Sequence, residues 1–229
     1  MLKPKKKISK KEIKEDRLVT SYFEATTWYQ ANKKIVNGIL TGVVILAIIV
    51  VAYVNNVSSN NQKATTELGK VLTYYDQGRY DLAINGNLQE NIRGLQSIVD
   101  EYGGTKAGGL AGFYLANAYF AQADYDKALK YYLNVSVNDD MISASSVAGA
   151  AACYEAKGDF AKAASSYEKA AFMSSKDVNA PENMVHAALN YMHAGNKEKA
   201  VELLKKVKKE FPTSSVIRDV DRWIAEASA

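Results

Sequence analysis

The sequence has few of the residues from which catalytic and metal sites are usually built. It contains one cysteine, two histidines and three prolines among 229 residues. The single cysteine, Cys153, excludes an internal disulfide framework but does not identify the compartment. His186 and His193 would lie about 10 Å apart along one helix, too far apart to share a metal ion. We therefore predict no catalytic residues, no cofactor and no metal site.

Two further features are weak evidence for chemistry. The segment GGTKAGG at 103–109 lacks the G-x-x-x-x-G-K-[ST] spacing of a phosphate loop and follows no predicted strand, which favours a simple turn. Cys153 lies among alanines on a predicted helix, which is typical of a small buried residue rather than a nucleophile. The sequence predicts that the protein is not an enzyme.

Positive charge is concentrated at the amino terminus. Residues 1–34 hold ten Lys/Arg and four Asp/Glu, so that the rest of the chain carries −2 of the total +4. A nearly neutral folded part argues against nucleic acid as a partner. The basic tail is interpreted as a topology signal, and contact with anionic lipid or RNA is the alternative.

The tail is followed by a long uncharged run, IVNGILTGVVILAIIVVAYV at 35–54. Twenty helical residues span about 30 Å, the thickness of a bilayer core. We predict an uncleaved signal-anchor, because a cleaved signal peptide would be shorter and would end in a small-residue cleavage site. The excess of Lys and Arg before the run predicts a cytoplasmic amino terminus and an extracytoplasmic remainder.

Other residues around this run also suit a membrane. Leu18, Tyr22, Phe23, Trp28 and Tyr29 predict a short interfacial helix anchored by aromatic side chains. Within the run, Gly38 and Gly42 form a G-x-x-x-G face that could pack against another helix.

Three later stretches share one spacing of aromatic and small residues. The three series begin at Tyr119, Tyr154 and Tyr191, 35 and then 37 residues apart. In each series, Ala or Gly lies four positions after this Tyr, an Ala lies nine positions after it, and Tyr or Leu lies thirteen positions after it. The small residue suits a positive φ at the end of a first helix, the next Asp or Asn can cap a second helix, and the Ala lies where the two helices cross.

A divergent unit precedes these three and one helix follows them. LTYYDQGRYDLAI repeats the Tyr-x3-Gly-x-Tyr spacing, and an insertion separates it from a second helix ending at Tyr102. After Pro212, an amphipathic helix is predicted to cover the open apolar edge of the last repeat.

This period and helix–turn–helix content resemble the tetratricopeptide repeat. The whole layout, with DEYGGTKAGGLAGFYLANAYF and EFPTSSVIRDVDRWI, resembles the bacterial YfgM-type family of inner-membrane repeat proteins, and more closely its Bacteroidetes and Chlorobi relatives. The resemblance implies a single-pass protein of the bacterial inner membrane, with a periplasmic repeat domain that is associated with the Sec translocon or with periplasmic folding helpers.

The predicted fold is all-α: one transmembrane helix followed by a right-handed helical solenoid with a capping helix. The predicted segments are a basic tail with a juxtamembrane amphipathic segment (1–34), the signal-anchor (35–54), a polar linker (55–63), a divergent first unit (64–106), three repeats (107–212) and the capping helix (213–229).

Repeat solenoids commonly bind partners on a concave surface lined by the first helix of each repeat. Phe113 and Ala148 stand where Lys would be needed to grip a terminal carboxylate, so an apolar groove for extended polypeptide or a partner helix is predicted instead. The alternative is that Phe113 and Phe120 only pack against the neighbouring unit. The predicted groove residues are Leu110, Phe113, Asn117, Phe120, Ala148, Ala152, Glu155, Val185, Leu189 and Met192.

Two functions follow. The first is a membrane-anchored module that holds clients or partners, such as exported proteins or translocon subunits, near the translocon. The second is a fixed subunit or assembly scaffold of another membrane complex, in which the anchor makes the partner contact.

Overall fold

The computed structural model describes residues 10–173 and 178–228, with side chains from residue 17 onward. Within these ranges the regular secondary structure is helical apart from one small hairpin. Its elements are α1 (Lys10–Asp76), α2 (Tyr80–Asn85), β1 (Gly86–Asn87), β2 (Ile92–Arg93), α3 (Leu95–Tyr102), α4 (Lys106–Ala121), α5 (Tyr125–Asn134), α6 (Asp140–Ala156), α7 (Phe160–Met173), α8 (Ala180–His193), α9 (Lys197–Glu210) and α10 (Ile217–Ser228).

The chain divides into two compact units, Met1–Asn56 and Val57–Ala229. The described part of the first unit is the amino-terminal portion of α1. Its most apolar 18-residue window has a mean hydropathy of 2.8 and none of it is buried, so that α1 is long and apolar enough to cross a membrane. Residues 1–9 of the predicted basic tail lie outside the described residues.

The predicted linker at 55–63 is helical and belongs to α1. Neither Gly nor Pro interrupts it, and its polar residues therefore continue the helix. Asn61 accepts a hydrogen bond from the backbone N–H of Ala107 at 2.8 Å, which ties this stretch to the start of α4.

The second unit is a row of antiparallel helix pairs, α4/α5, α6/α7 and α8/α9, in which each helix packs on the next. Alanine makes these contacts close. Ala128, Ala163 and Ala200 are completely buried in the second helix of each pair, as the repeat spacing predicts. Buried Tyr132, Tyr167 and Leu204 follow one turn later.

The turns inside the three pairs and the turn between α1 and α2 have one shared backbone geometry. Gly78, Ala123, Gly158 and Gly195 all have positive φ, between 58° and 83°. In each turn the following N–H donates to the carbonyl of the Tyr five residues earlier, for example Asp159 to Tyr154 at 2.9 Å. This is a helix end that glycine adopts at low cost, which explains Gly at three of the four positions.

The second helix of each pair begins with a side-chain cap. Asp124, Asp159 and Asn196 accept hydrogen bonds from the backbone N–H three residues later, at 3.2, 3.3 and 3.2 Å. These bonds satisfy donors that have no partner inside the helix, and they confirm the predicted capping.

Before these three pairs, the helix that follows α1 is split into α2 and α3 by the β1–β2 hairpin, and α3 ends at Tyr102 as the sequence predicts. At the other end, α10 packs on α9. Val220 of α10 is buried, and Trp223 and Ile224 are half-buried against the last pair. The carboxy-terminal helix therefore covers the apolar edge of the final repeat.

Candidate protein-binding groove

The predicted groove residues lie on the first helices of the pairs, α4, α6 and α8. Val185 is only 4% exposed, because it belongs to the core around α8 and α9, and its side chain is not available at the surface. The other nine are half-buried, which suits a surface that both supports the fold and remains accessible: Leu110, Phe113, Asn117, Phe120, Ala148, Ala152, Glu155, Leu189 and Met192.

The structure divides these residues between two hydrophobic clusters. Leu110, Phe113 and Phe120 pack on the amino-terminal cluster. Ala148, Ala152, Leu189 and Met192 pack on the carboxy-terminal one. Helix α6 contributes to both clusters, because Ala150 belongs to the first and Ala151 to the second. The groove prediction therefore combines two apolar patches that meet at α6.

Phe113 and Phe120 are each engaged by other rings. Phe113 lies edge-on to Tyr114 and Tyr132, with ring centroids 6.0 and 6.2 Å apart. Phe120 lies edge-on to Tyr125 at 5.3 Å, within its own helix pair. Both residues thus pack internally, and both retain an exposed part.

Asn117 is held by two tyrosines from neighbouring elements. The Tyr132 hydroxyl donates to its Oδ1, and Tyr75 of α1 is also hydrogen-bonded to it. Burial raises the pKa of Tyr132 above its ordinary value, so this hydroxyl remains a donor at neutral pH. Asn117 therefore connects three helices, a role the spacing pattern alone does not indicate.

Glu155 and the two histidines lie against aromatic rings. Tyr167 is hydrogen-bonded to Glu155, and burial, followed by the charge of Glu155, raises the pKa of Tyr167. His186 stacks on Tyr167 at 5.0 Å, whereas His193 lies 4.9 Å from the ring of Phe160. The two histidines thus occupy separate places. Across the described residues, no three His, Cys, Asp or Glu side chains come together as a metal site would require.

Cys153 is completely buried, as the sequence predicts. Burial raises the pKa of its thiol to about 11, and the thiol is therefore protonated at neutral pH. A protonated, inaccessible thiol is a poor nucleophile.

Sequence reasoning missed an apolar cavity of about 160 Å³ beside the predicted groove. It forms because α1 lies next to the start of α4, which places Leu68 near Leu110. Leu68 lies six residues before Tyr74, just as Phe113 lies six residues before Tyr119. This shared offset was the signal in the sequence that could have placed Leu68 beside the predicted groove. The lining residues are Asn61, Thr65, Leu68, Lys106, Ala107, Leu110, Val137 and Ile142.

In the unit Met1–Asn56, no other part of the described chain covers the predicted Gly38–Gly42 face of the anchor. A Cβ placed on Gly38 or on Gly42 would have no atom within 4 Å outside its own helix segment. The surrounding apolar side chains, such as Ile39 and Val43, are exposed.

Comparisons with known proteins agree with this architecture. The tetratricopeptide repeat family model matches residues 110–136 and 182–214. No curated protein sequence matches the chain.

Two crystal structures of the nearly identical TPR-like repeats of a candidate kinesin light chain from Podosopora anserina, one of them of a variant, have a similar fold. They superpose with TM-scores of 0.56 and 0.55 at 18% identity, covering 73% of this chain and 85% and 86% of theirs. The second unit therefore has the fold of a tetratricopeptide repeat solenoid, and these repeats indicate a protein–protein interaction module.

Proposed function

We propose that the protein is a membrane-anchored module that holds partner polypeptides on the extracytoplasmic face of a bacterial inner membrane. The half-buried apolar patches of α4, α6 and α8 are the observation that carries the binding part of this proposal. An extended or helical polypeptide can bury its apolar side chains against such a surface. Because the groove offers few charges, partners are recognised through apolar segments.

The membrane part of the proposal is supported by α1. Its apolar window is entirely exposed, although exposing so much apolar surface to water is unfavourable. Insertion into a bilayer removes that surface from water. Ten Lys and Arg residues precede it, and only Lys63 occurs within about ten residues after it, which favours a cytoplasmic amino terminus.

The specific role we propose is assistance to the Sec translocon or to periplasmic folding, with exported proteins or translocon subunits as partners. It follows from the resemblance of the whole layout to YfgM-type proteins. A gentle-detergent pull-down of the full-length protein from its own membranes tests it. Recovery of translocon subunits with many exported proteins supports this role, and one stoichiometric complex without either contradicts it.

Site-specific photo-cross-linking tests the groove itself. A photoreactive phenylalanine analogue at Phe120 should cross-link to partner polypeptides in the membrane. The same analogue at Leu133 is the matched control, because Leu133 is apolar and 63% exposed but lies on α5, outside the predicted groove. Equal cross-linking from the two positions would show that the groove is not the binding surface.

A second candidate function is a fixed structural subunit of another membrane complex. The open Gly38–Gly42 face favours it, because small residues let a partner helix approach closely. Exchanging residues 35–54 for an unrelated transmembrane helix distinguishes the two functions. Association survives the exchange if the groove binds the partner, and it is abolished if the anchor does.

A further inference from the structure

The β1–β2 hairpin presents one apolar side chain to solvent. Leu88, between the two strands, is 97% exposed, more than any other large apolar side chain in the described residues. The hairpin interrupts a helix that is continuous in each of the three following pairs. It is therefore an addition to the repeat pattern that ends in an exposed leucine.

The base of the hairpin is closely packed. A Cβ on Gly94 would overlap the carbonyl of Ile84 and lie 2.5 Å from the backbone nitrogen of Gly86. Only glycine permits this approach of the two backbone segments.

The tip is held by hydrogen bonds to the first helix. Tyr74 is 4% exposed, and its hydroxyl donates to Glu90 at 2.7 Å and accepts from the Asn87 amide at 3.0 Å. The Asn87 amide also donates to Glu90 at 3.0 Å, and Asn87 Oδ1 accepts from the backbone N–H of Gln89 at 3.0 Å. Leu88 is thus exposed on a fixed loop, and little conformational entropy would be lost when it binds.

The same chain carries a cavity that suits a leucine. The space beside Leu68 and Leu110 measures about 160 Å³, and its walls also include Val137 and Ile142. An apolar protein cavity of about 150 Å³ stays dry and accepts benzene. A leucine side chain has fewer carbon atoms than benzene, so that it fits this volume.

Charges beside the two features are complementary. Glu90 is exposed two residues after Leu88, and its carboxylate accepts hydrogen bonds from Tyr74 and Asn87. Lys106 is exposed at the rim of the cavity, and it forms no ion pair with the described part of the chain. The hairpin tip with Leu88 and Glu90, here called the knob, is acidic, and the rim of the cavity is basic. Attraction between these charges favours one orientation of docking.

We propose that Leu88 of one copy inserts into the cavity of a second copy, with Glu90 next to the second copy's Lys106. This self-association goes beyond the proposed function and does not depend on it. The contact joins two different surfaces, so a dimer keeps one free hairpin tip on one copy and one free cavity on the other, and further copies can add in a row.

Cross-linking between two differently tagged full-length chains in mild detergent tests the contact. One chain carries Gln89→Cys on the hairpin, and the other carries Asn138→Cys, next to Val137 of the cavity. Both positions are exposed, whereas the native Cys153 is buried and does not compete. A short bismaleimide reagent should give a dimer that contains both tags.

The decisive comparison places one variant in either chain. Leu88→Asp in the Gln89→Cys chain should lower the yield at least tenfold, because burial of a leucine side chain outweighs the free energy of one factor of ten in affinity. In the Asn138→Cys chain the same variant should change nothing, since that chain's knob is not used. This arm controls for misfolding.

The reciprocal variant is Thr65→Trp, which fills the cavity from an exposed wall position. It should lower the yield in the Asn138→Cys chain and leave it unchanged in the Gln89→Cys chain. Absence of the mixed dimer, or equal loss whichever chain carries the variant, would overturn the proposal.

Discussion

A methyl group added to Gly149 should destabilise the solenoid, although Ala is the better helix former. Gly149 lies in the middle of α6, where the ring of Tyr132 from the preceding pair covers it. A Cβ at this position would overlap the ring, with Tyr132 Cε2 at 2.8 Å. The ring cannot easily move, because Tyr132 is buried, lies edge-on to Phe113 and donates its hydroxyl hydrogen bond to Asn117.

The magnitude follows from two opposing terms. Replacing Gly by Ala inside a helix stabilises by about 1 kcal/mol. Forcing an extra methyl into a well-packed core costs roughly 1–3 kcal/mol. We expect Gly149→Ala to lower the free energy of unfolding by up to about 2 kcal/mol.

Gly112→Ala is the matched control, because Gly112 also lies in the interior of a helix. Its added Cβ would meet only Val99 Cγ2, at 3.9 Å, which is ordinary contact. We expect this variant to stabilise by up to about 1 kcal/mol.

Urea unfolding of the full-length chain in detergent, followed by far-ultraviolet circular dichroism, measures both variants. Smaller side chains at position 132 should remove the conflict, and in a Tyr132→Leu background Gly149→Ala should no longer destabilise. Shifts of the same sign for Gly149→Ala and Gly112→Ala would refute the reasoning.

Three further predictions concern the repeat turns and their hydrogen bonds. Ala123→Gly should stabilise the protein by about 1 kcal/mol, because Ala123 has a φ of 58°, and Gly158→Ala at the equivalent turn should destabilise it by a similar amount. Thermal unfolding of the two variants should show opposite shifts. Asp159→Ala removes the cap of α7 and should cost about 1 kcal/mol in urea unfolding, whereas Asp159→Asn should retain most of the stability. Burial, with the hydrogen bond to Glu168 and its charge, raises the pKa of Tyr191 to about 12. Because folding favours the protonated hydroxyl, this stabilisation is complete below about pH 10 and is lost between pH 10 and 12. Tyr191→Phe should therefore lose less stability than the wild-type protein across that range, and equal losses would contradict the assignment.

Local patterns in the sequence were sufficient to predict the repeat solenoid. A helix turn that requires positive φ leaves Gly at three of four positions, and a helix crossing too close for a larger side chain leaves Ala at the same offset in three pairs. These requirements act between residues that are close in the chain, so their spacing is visible in one sequence. The 20-residue uncharged run is likewise a local property, and α1 contains it in full.

The groove was predicted less completely, because the accessibility of a side chain depends on which elements cover it. Helical phase placed Val185 on the same face as Leu189, but the packing around α8 and α9 buries it. Asn117 was predicted to face a partner, and it is instead hydrogen-bonded to Tyr75 and Tyr132, one of them more than forty positions away in the chain.

The sequence by itself determined the class of the fold, the register of the repeats and the presence of a run long enough to span a bilayer, since each depends on local periodicity. Only the tertiary structure decided the hairpin that exposes Leu88 and the cavity between Leu68 and Leu110. These features arise where segments distant in sequence come together, and no spacing within one segment records them.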